Sequence, residues 1–195
     1  MGSIAQIELV SYVKKEFLTD NGVFIVDPVM GDGGKLYAGF SENYIAKMRE
    51  LCRTADYILP NVTEACYLAD IPYPVDLKSI NKENLFSALQ KICKRPIVTG
   101  LTDNGTVSVL YTDETENILS YSHENVQGFF HGAGDVFSAA FVGALARGKE
   151  ETTAVRLASE FTAASIRRSA KEVPDKRYGL NFEAEIFSFL KNLND

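Results

Sequence analysis

The stretch HGAGDVFSAAFVGALARG, His131–Gly148, sets two glycines and a carboxylate just ahead of an apolar run. Gly132 and Gly134 leave backbone N–H groups open to a ligand without side-chain obstruction. A helix starting there adds its positive end, and together these make a place for an oxyanion or a phosphate. Asp135 falls in the first turn, where the helix dipole favours a carboxylate. Such a group can take a proton from an alcohol late in phosphoryl transfer, when that oxygen has become acidic. The plain reading of the same residues is a turn and a helix cap, and the stretch alone favours it.

Further candidates lie at the ends of apolar runs. VFIVDP ends in Asp27, ADYILPN ends in Asn61 with Glu64 one turn on, and PIVTG ends in Thr99 and Gly100. VMGDGGKLY, which holds Asp32, carries three glycines and is expected to be irregular. Each has its plain reading too. Asn61 and Glu64 suit a helix cap and a first-turn acid, Asp27 a turn, and Thr99 a strand-end hydroxyl. His123 and His131 read as structural, and Phe129, Phe130, Phe137 and Phe141 as core.

These groups need a frame. SIAQIELVSYVKKEF has the capping-box spacing Ser3–Gln6, with Ile4, Ile7, Val10 and Phe17 as its expected buried side. Short β-branched runs at Val23–Asp27, Asp56–Leu59 and Ile97–Thr99 alternate with helical stretches at 41–54, 63–71 and 81–94. That alternation predicts βαβ units and a parallel sheet. TVSVLYTD and NILSYSHE then read as an antiparallel pair, and helices follow at 134–147, 151–168 and 182–193. The expectation is a single α/β domain over 1–195, with ligands bound beyond the C-terminal strand ends.

Composition narrows the function. The chain of 195 residues is 46% hydrophobic and 24% charged, an ordinary globular profile with enough length for one sizeable core. A net charge of -6 points away from nucleic acid and anionic membranes as partners. Cys52, Cys66 and Cys93 lack metal-ligand spacing and read as reduced core thiols of a cytoplasmic protein. No apolar run approaches the ~18 residues of a membrane span.

In combination the motifs are more specific. GAGD before a helix resembles the signature of ribokinase-like kinases, and PNVTE, Asn61 to Glu64, matches that family's NxxE pattern. VDPVMGDGGKLY, Val26 to Tyr37, looks like the equivalent stretch of the pyridoxal kinase branch. The resemblance implies an α/β fold with a mostly parallel sheet flanked by helices. It implies ATP-dependent phosphorylation of a hydroxymethyl group on a B6 vitamer (pyridoxal, pyridoxine or pyridoxamine) and a homodimer. Asp135 would be the base, and Gly132, Ala133 and Gly134 the anion hole. Glu64, with Asn61, would organise Mg²⁺ through water. Asp27 and Thr99 would lie along the ATP phosphates, and Asp32 in a mobile loop over the nucleotide. Ala133 stands where pyridoxal kinases often carry Thr, and Leu59 where a small residue often precedes PN. Met1-Gly2-Ser3 resembles a point well inside the family fold, so the chain looks like its C-terminal two-thirds, N-terminally incomplete and short of most of the vitamin pocket. Little vitamin phosphorylation is therefore expected of this chain alone. The alternatives are a hydroxymethylpyrimidine kinase and a non-catalytic nucleotide-binding remnant.

Overall fold

The computed structural model describes residues 2–113, 115–126, 128, 130–172 and 179–194. Two compact units emerge, Met1–Leu101 with Leu110–Leu119, and Thr102–Val109 with Ser120–Asp195.

In the first unit the βα rhythm becomes a three-stranded parallel sheet. Strands β1 (Ile25–Val26), β4 (Tyr57–Ile58) and β5 (Arg95–Pro96) lie in the order β1-β4-β5. Ile25 pairs with Tyr57, and Tyr57 with Arg95. Beyond the short strands the ladder continues, since Ile97 N–H donates to Ile58 O and Thr99 N–H to Pro60 O, both at 2.9 Å. Four helices accompany the sheet: α1 (Ile4–Phe17), α2 (Glu42–Cys52), α3 (Val62–Ala69) and α4 (Lys82–Gln90). Their apolar faces join one buried cluster that includes Met30, Met48, Ile58, Leu68 and Phe86. Cys52, Cys66 and Cys93 are buried and free, as expected of core thiols.

Two local expectations need correction. Ser3 caps α1 by accepting from Gln6 N–H, and Ile7 is buried, but Phe17 is 73% exposed. It is the last helical residue, where the apolar face has run past its partners. VMGDGGKLY is regular rather than irregular: β2 (Gly31–Asp32) and β3 (Lys35–Leu36) pair antiparallel. Gly33 and Gly34, at φ 56° and 77°, form the two-residue turn that needs positive φ at both positions. The glycines do not break the strands but join them.

Strands β6 (Val98–Asp103), β7 (Thr106–Thr112) and β8 (Ile118–Glu124) form a second sheet in the order β6-β7-β8. Asn104–Gly105, both at positive φ, is the tight turn between β6 and β7. The expected antiparallel pair, β7 and β8, carries a Ser108–Ser122 hydroxyl contact of 2.7 Å.

In the second unit α5 (Ala133–Ala146) packs along α6 (Glu151–Glu172), and α7 (Ile186–Asn194) lies against α6. Ala140, Ala144, Ala154 and Ala158 are buried, and such small side chains let helices approach closely. Phe137 and Phe141 are core and stack at 6.3 Å between ring centroids. Phe130 is half-buried, and Phe129 lies outside the described residues.

Candidate active site

The predicted polar groups of the first unit meet around the N-terminus of α3. Asn61 is its N-cap, and Asn61 Oδ1 accepts from Glu64 N–H at 3.0 Å. Glu64 Oε2 accepts from Asn61 N–H at 2.9 Å, which completes a capping box. The plain capping reading is thus realised, yet it does not exhaust these side chains. Glu64 Oε1 also accepts from Met30 N–H at 3.0 Å, and Asn61 Nδ2 donates to Gly31 O at 2.8 Å. One NxxE pair therefore caps a helix and fastens the chain that leaves β1.

Glu64 is only 3% exposed. Burial pushes its carboxyl up to about 8; donors at Asn61, Met30 and Gly31 pull it down, and the nearby Asp27 carboxylate pushes it further up. Asp27 is half-buried just after β1, and Thr99 pairs with Asn61 in a parallel bridge. Asp27, Asn61, Glu64 and Thr99 thus gather at the C-terminal ends of the parallel strands, as the open-sheet rule predicts.

Asp32 is exposed on β2, and its Oδ1 accepts from Gly33 N–H at 2.8 Å. Its hairpin is tied to α3 by residues that sequence reasoning missed. Gly34 N–H donates to Thr63 Oγ1 at 2.9 Å, and Tyr67 Oη donates to Gly34 O at 3.2 Å. The available signal was Thr63 and Tyr67, hydroxyl side chains four apart on one face of a largely apolar helix.

The GAGD turn belongs to the second unit. Gly132 is the N-cap of α5 at φ 82° and ψ 5°, a left-handed conformation that favours glycine. Val136 N–H closes the first helical bond onto Gly132 O at 3.0 Å. Gly132, Gly134 and Asp135 are exposed and Ala133 half-buried. A Cβ on Gly134 would meet nothing within 4 Å. The turn thus presents an open helix N-terminus with Asp135 in its first turn, the geometry that receives an anion.

The donor set also bears on a divalent cation. Mg²⁺ usually binds one or two carboxylates together with waters and phosphate oxygens. Burial and the Asp27 charge both disfavour the ionised form of Glu64, and a hard cation beside the pair would favour it. These residues fit Mg²⁺. Among the described residues no group of three or more His, Cys, Asp or Glu side chains is arranged to hold a metal directly. Also among them, no helix is long and apolar enough to cross a membrane.

Comparison with known proteins follows the same lines. A pyridoxine kinase of Bacillus subtilis is 32% identical over 170 residues, 84% of this chain and 60% of its own length. A hydroxymethylpyrimidine/phosphomethylpyrimidine kinase of Haemophilus influenzae is 30% identical over 175 residues, 85% of this chain and 63% of its own length. The chain thus spans less than two-thirds of either relative. Among solved structures, the pyridoxal kinase of Lactobacillus plantarum superposes with a TM-score of 0.88 at 29% identity, covering 97% of this chain and 68% of that one. The fold is therefore the ribokinase-like one that the motifs led us to expect. Residues 1–179 match the phosphomethylpyrimidine kinase family, and the chain belongs to it.

Proposed function

We propose that this chain carries the phosphate, metal and base apparatus of an ATP-dependent kinase that acts on the hydroxymethyl group of a B6 vitamer. The observation that carries the reading is the clustering of Asp27, Asn61, Glu64 and Thr99 at the parallel strand ends, in a chain 32% identical to a pyridoxine kinase. The open N-terminus of α5 behind Gly132 supports it. In this reading Asp135 accepts the proton of the substrate hydroxyl as that oxygen bonds to the γ-phosphorus. The bond from phosphorus to the bridging oxygen breaks, and ADP leaves with the electron pair. Backbone N–H groups of Gly132, Ala133 and Gly134 neutralise charge on the transferred group. Asn61 and Glu64 would hold Mg²⁺ through water, and the ion would supply charge to offset the phosphates. Asp27 and Thr99 lie along the phosphates, and Asp32 is held over the nucleotide. The hydroxyl acceptor is a B6 vitamer, with hydroxymethylpyrimidine as the second reading, favoured by the Haemophilus relative.

The test measures MgATP binding by this chain, then phosphate transfer to pyridoxal, pyridoxine, pyridoxamine and hydroxymethylpyrimidine in parallel. The same panel is run on the chain extended to the relatives' length. Expected are MgATP binding by both and transfer to a B6 vitamer by the extended chain. Asp135→Asn should keep binding and lower the rate by about 10²–10⁴-fold, the usual share of a general base. Preferred transfer to hydroxymethylpyrimidine would establish the second reading. Binding without transfer by either chain would leave only a nucleotide-binding protein, and absence of binding would end the kinase reading.

A further inference from the structure

Side chains of the N-cap and the first turns of α3 hold the β2–β3 hairpin at its entry and at its tip. Asn61 Nδ2 donates to Gly31 O at 2.8 Å, and Glu64 Oε1 accepts from Met30 N–H at 3.0 Å. At the tip, Thr63 Oγ1 accepts from Gly34 N–H at 2.9 Å, and Tyr67 Oη donates to Gly34 O at 3.2 Å. Both polar groups of one turn residue are thus taken by side chains of a single helix. Tyr73 closes the arrangement, because its ring lies against Gly34. A Cβ on Gly34 would come within 2.6 Å of that ring, and φ at this position is +77°.

The pattern exceeds what the hairpin requires. A two-residue turn of two glycines can close on its own strand bonds. The ties at Gly34 instead fix where the hairpin points. Thr63 is 2% exposed, so its hydroxyl is committed to this use. Thr63, Tyr67 and Tyr73 also line one cavity of about 550 Å³.

We propose that Thr63 and Tyr67 are positioning residues that hold Gly34 and so fix the hairpin presenting Asp32 to the nucleotide. The proposal rests on the kinase reading, in which Asp32 lies over the nucleotide. It assigns to α3 a second task beside the metal-organising pair at its N-terminus. The hairpin is then held in its bound orientation before nucleotide arrives, which lowers the ordering penalty of binding.

Thr63→Val and Tyr67→Phe each remove one hydroxyl and keep the shape, and Thr63→Ser keeps the hydroxyl. Two quantities are read on the intact chain: amide hydrogen exchange at Gly33, Gly34 and Lys35, and affinity for MgATP. Thr63→Val should speed exchange of the Gly34 amide by about three- to tenfold, the effect of one hydrogen bond. Both hydroxyl-deleted variants should bind MgATP more weakly by a similar factor, and Thr63→Ser should restore both readouts. Helix exchange within α3 should stay unchanged, which a general loss of stability would not allow. Variants that bind MgATP as the parent does would overturn the positioning role and leave the kinase reading intact. A parent chain that binds no MgATP would overturn the kinase reading and the proposal with it. Unchanged exchange at Gly34 in Thr63→Val would overturn the proposal by itself.

Discussion

Glu64 offers a sharp test, because its burial gives stability a pH signature. Burial pushes the carboxyl from an ordinary 4.5 up to about 8. Between those values the folded chain holds a proton that the unfolded chain has released. Stability is therefore greatest on the acid side of this window and falls as pH rises through it. At about 1.36 kcal/mol per pH unit, the whole window is worth roughly 4–5 kcal/mol. Glu64→Gln removes the titration. The amide oxygen still accepts one of the bonds from Asn61 N–H and Met30 N–H, but its NH₂ faces the other donor. An unsatisfied buried donor costs about 1–3 kcal/mol. The variant should thus be less stable than the parent near about pH 5 and equal or more stable near about pH 9. Urea unfolding followed by far-ultraviolet circular dichroism at each pH gives the two stability curves. Their difference reports Glu64 together with the groups its charge reaches, Asp27 foremost, while titrating groups remote from it cancel. It should shrink by roughly 3–4 kcal/mol from about pH 5 to about pH 9. Parallel curves would refute the reasoning, because they would mean that the carboxyl titrates alike in the folded and unfolded chains.

Two further substitutions probe the supports of the site. Arg49 Nε donates to Leu68 O at 2.8 Å and Nη2 to Tyr67 O at 2.7 Å, both in the last turn of α3. Arg49→Ala should lower unfolding free energy by about 2–3 kcal/mol, the scale of bonds from a charged donor, with Arg49→Lys recovering under half because it lacks the planar fork; a loss below about 0.5 kcal/mol in urea unfolding would show the cap to be dispensable. Phe141 on α5 is fully buried, so Phe141→Ala should cost about 3–5 kcal/mol. A loss under about 1 kcal/mol in the same measurement would mean that the core of α5 collapses around the gap.

Much of this arrangement follows from local pattern, and the remainder from contacts that local pattern does not encode. VFIVDP, ADYILPN and PIVTG read as strands because β-branched runs stop at proline or glycine, and all three take part in the parallel pairing. Asn61 and Glu64 read as a helix cap and a first-turn acid, and the structure joins them in a full capping box. The reach of Glu64 to Met30 could not be read, because it crosses the chain between two elements whose mutual distance only folding sets. GDGG was misread as irregular for a different reason. Strands of two residues are too short to show alternation, so the glycines of a tight hairpin looked like a break. Phe17 fits the helical period, yet periodicity says nothing about where a neighbouring surface ends.

The two sheets differ in what their assembly demands of the chain. The turn at Asn104–Gly105 joins strands that are adjacent in sequence, so that pairing needs almost no loop to close. The parallel sheet pairs Ile25 with Tyr57 and Tyr57 with Arg95, so each pairing draws together segments roughly 30 to 40 residues apart. Chain entropy opposes such long closures before any contact rewards them. Asp27 and Asn61 follow strands of this sheet, and Thr99, the second residue of β6, reaches it through its parallel bridge to Asn61. Their meeting is therefore a non-local event. These groups come together only when the parallel ladder closes, and any opening of that ladder scatters them at once.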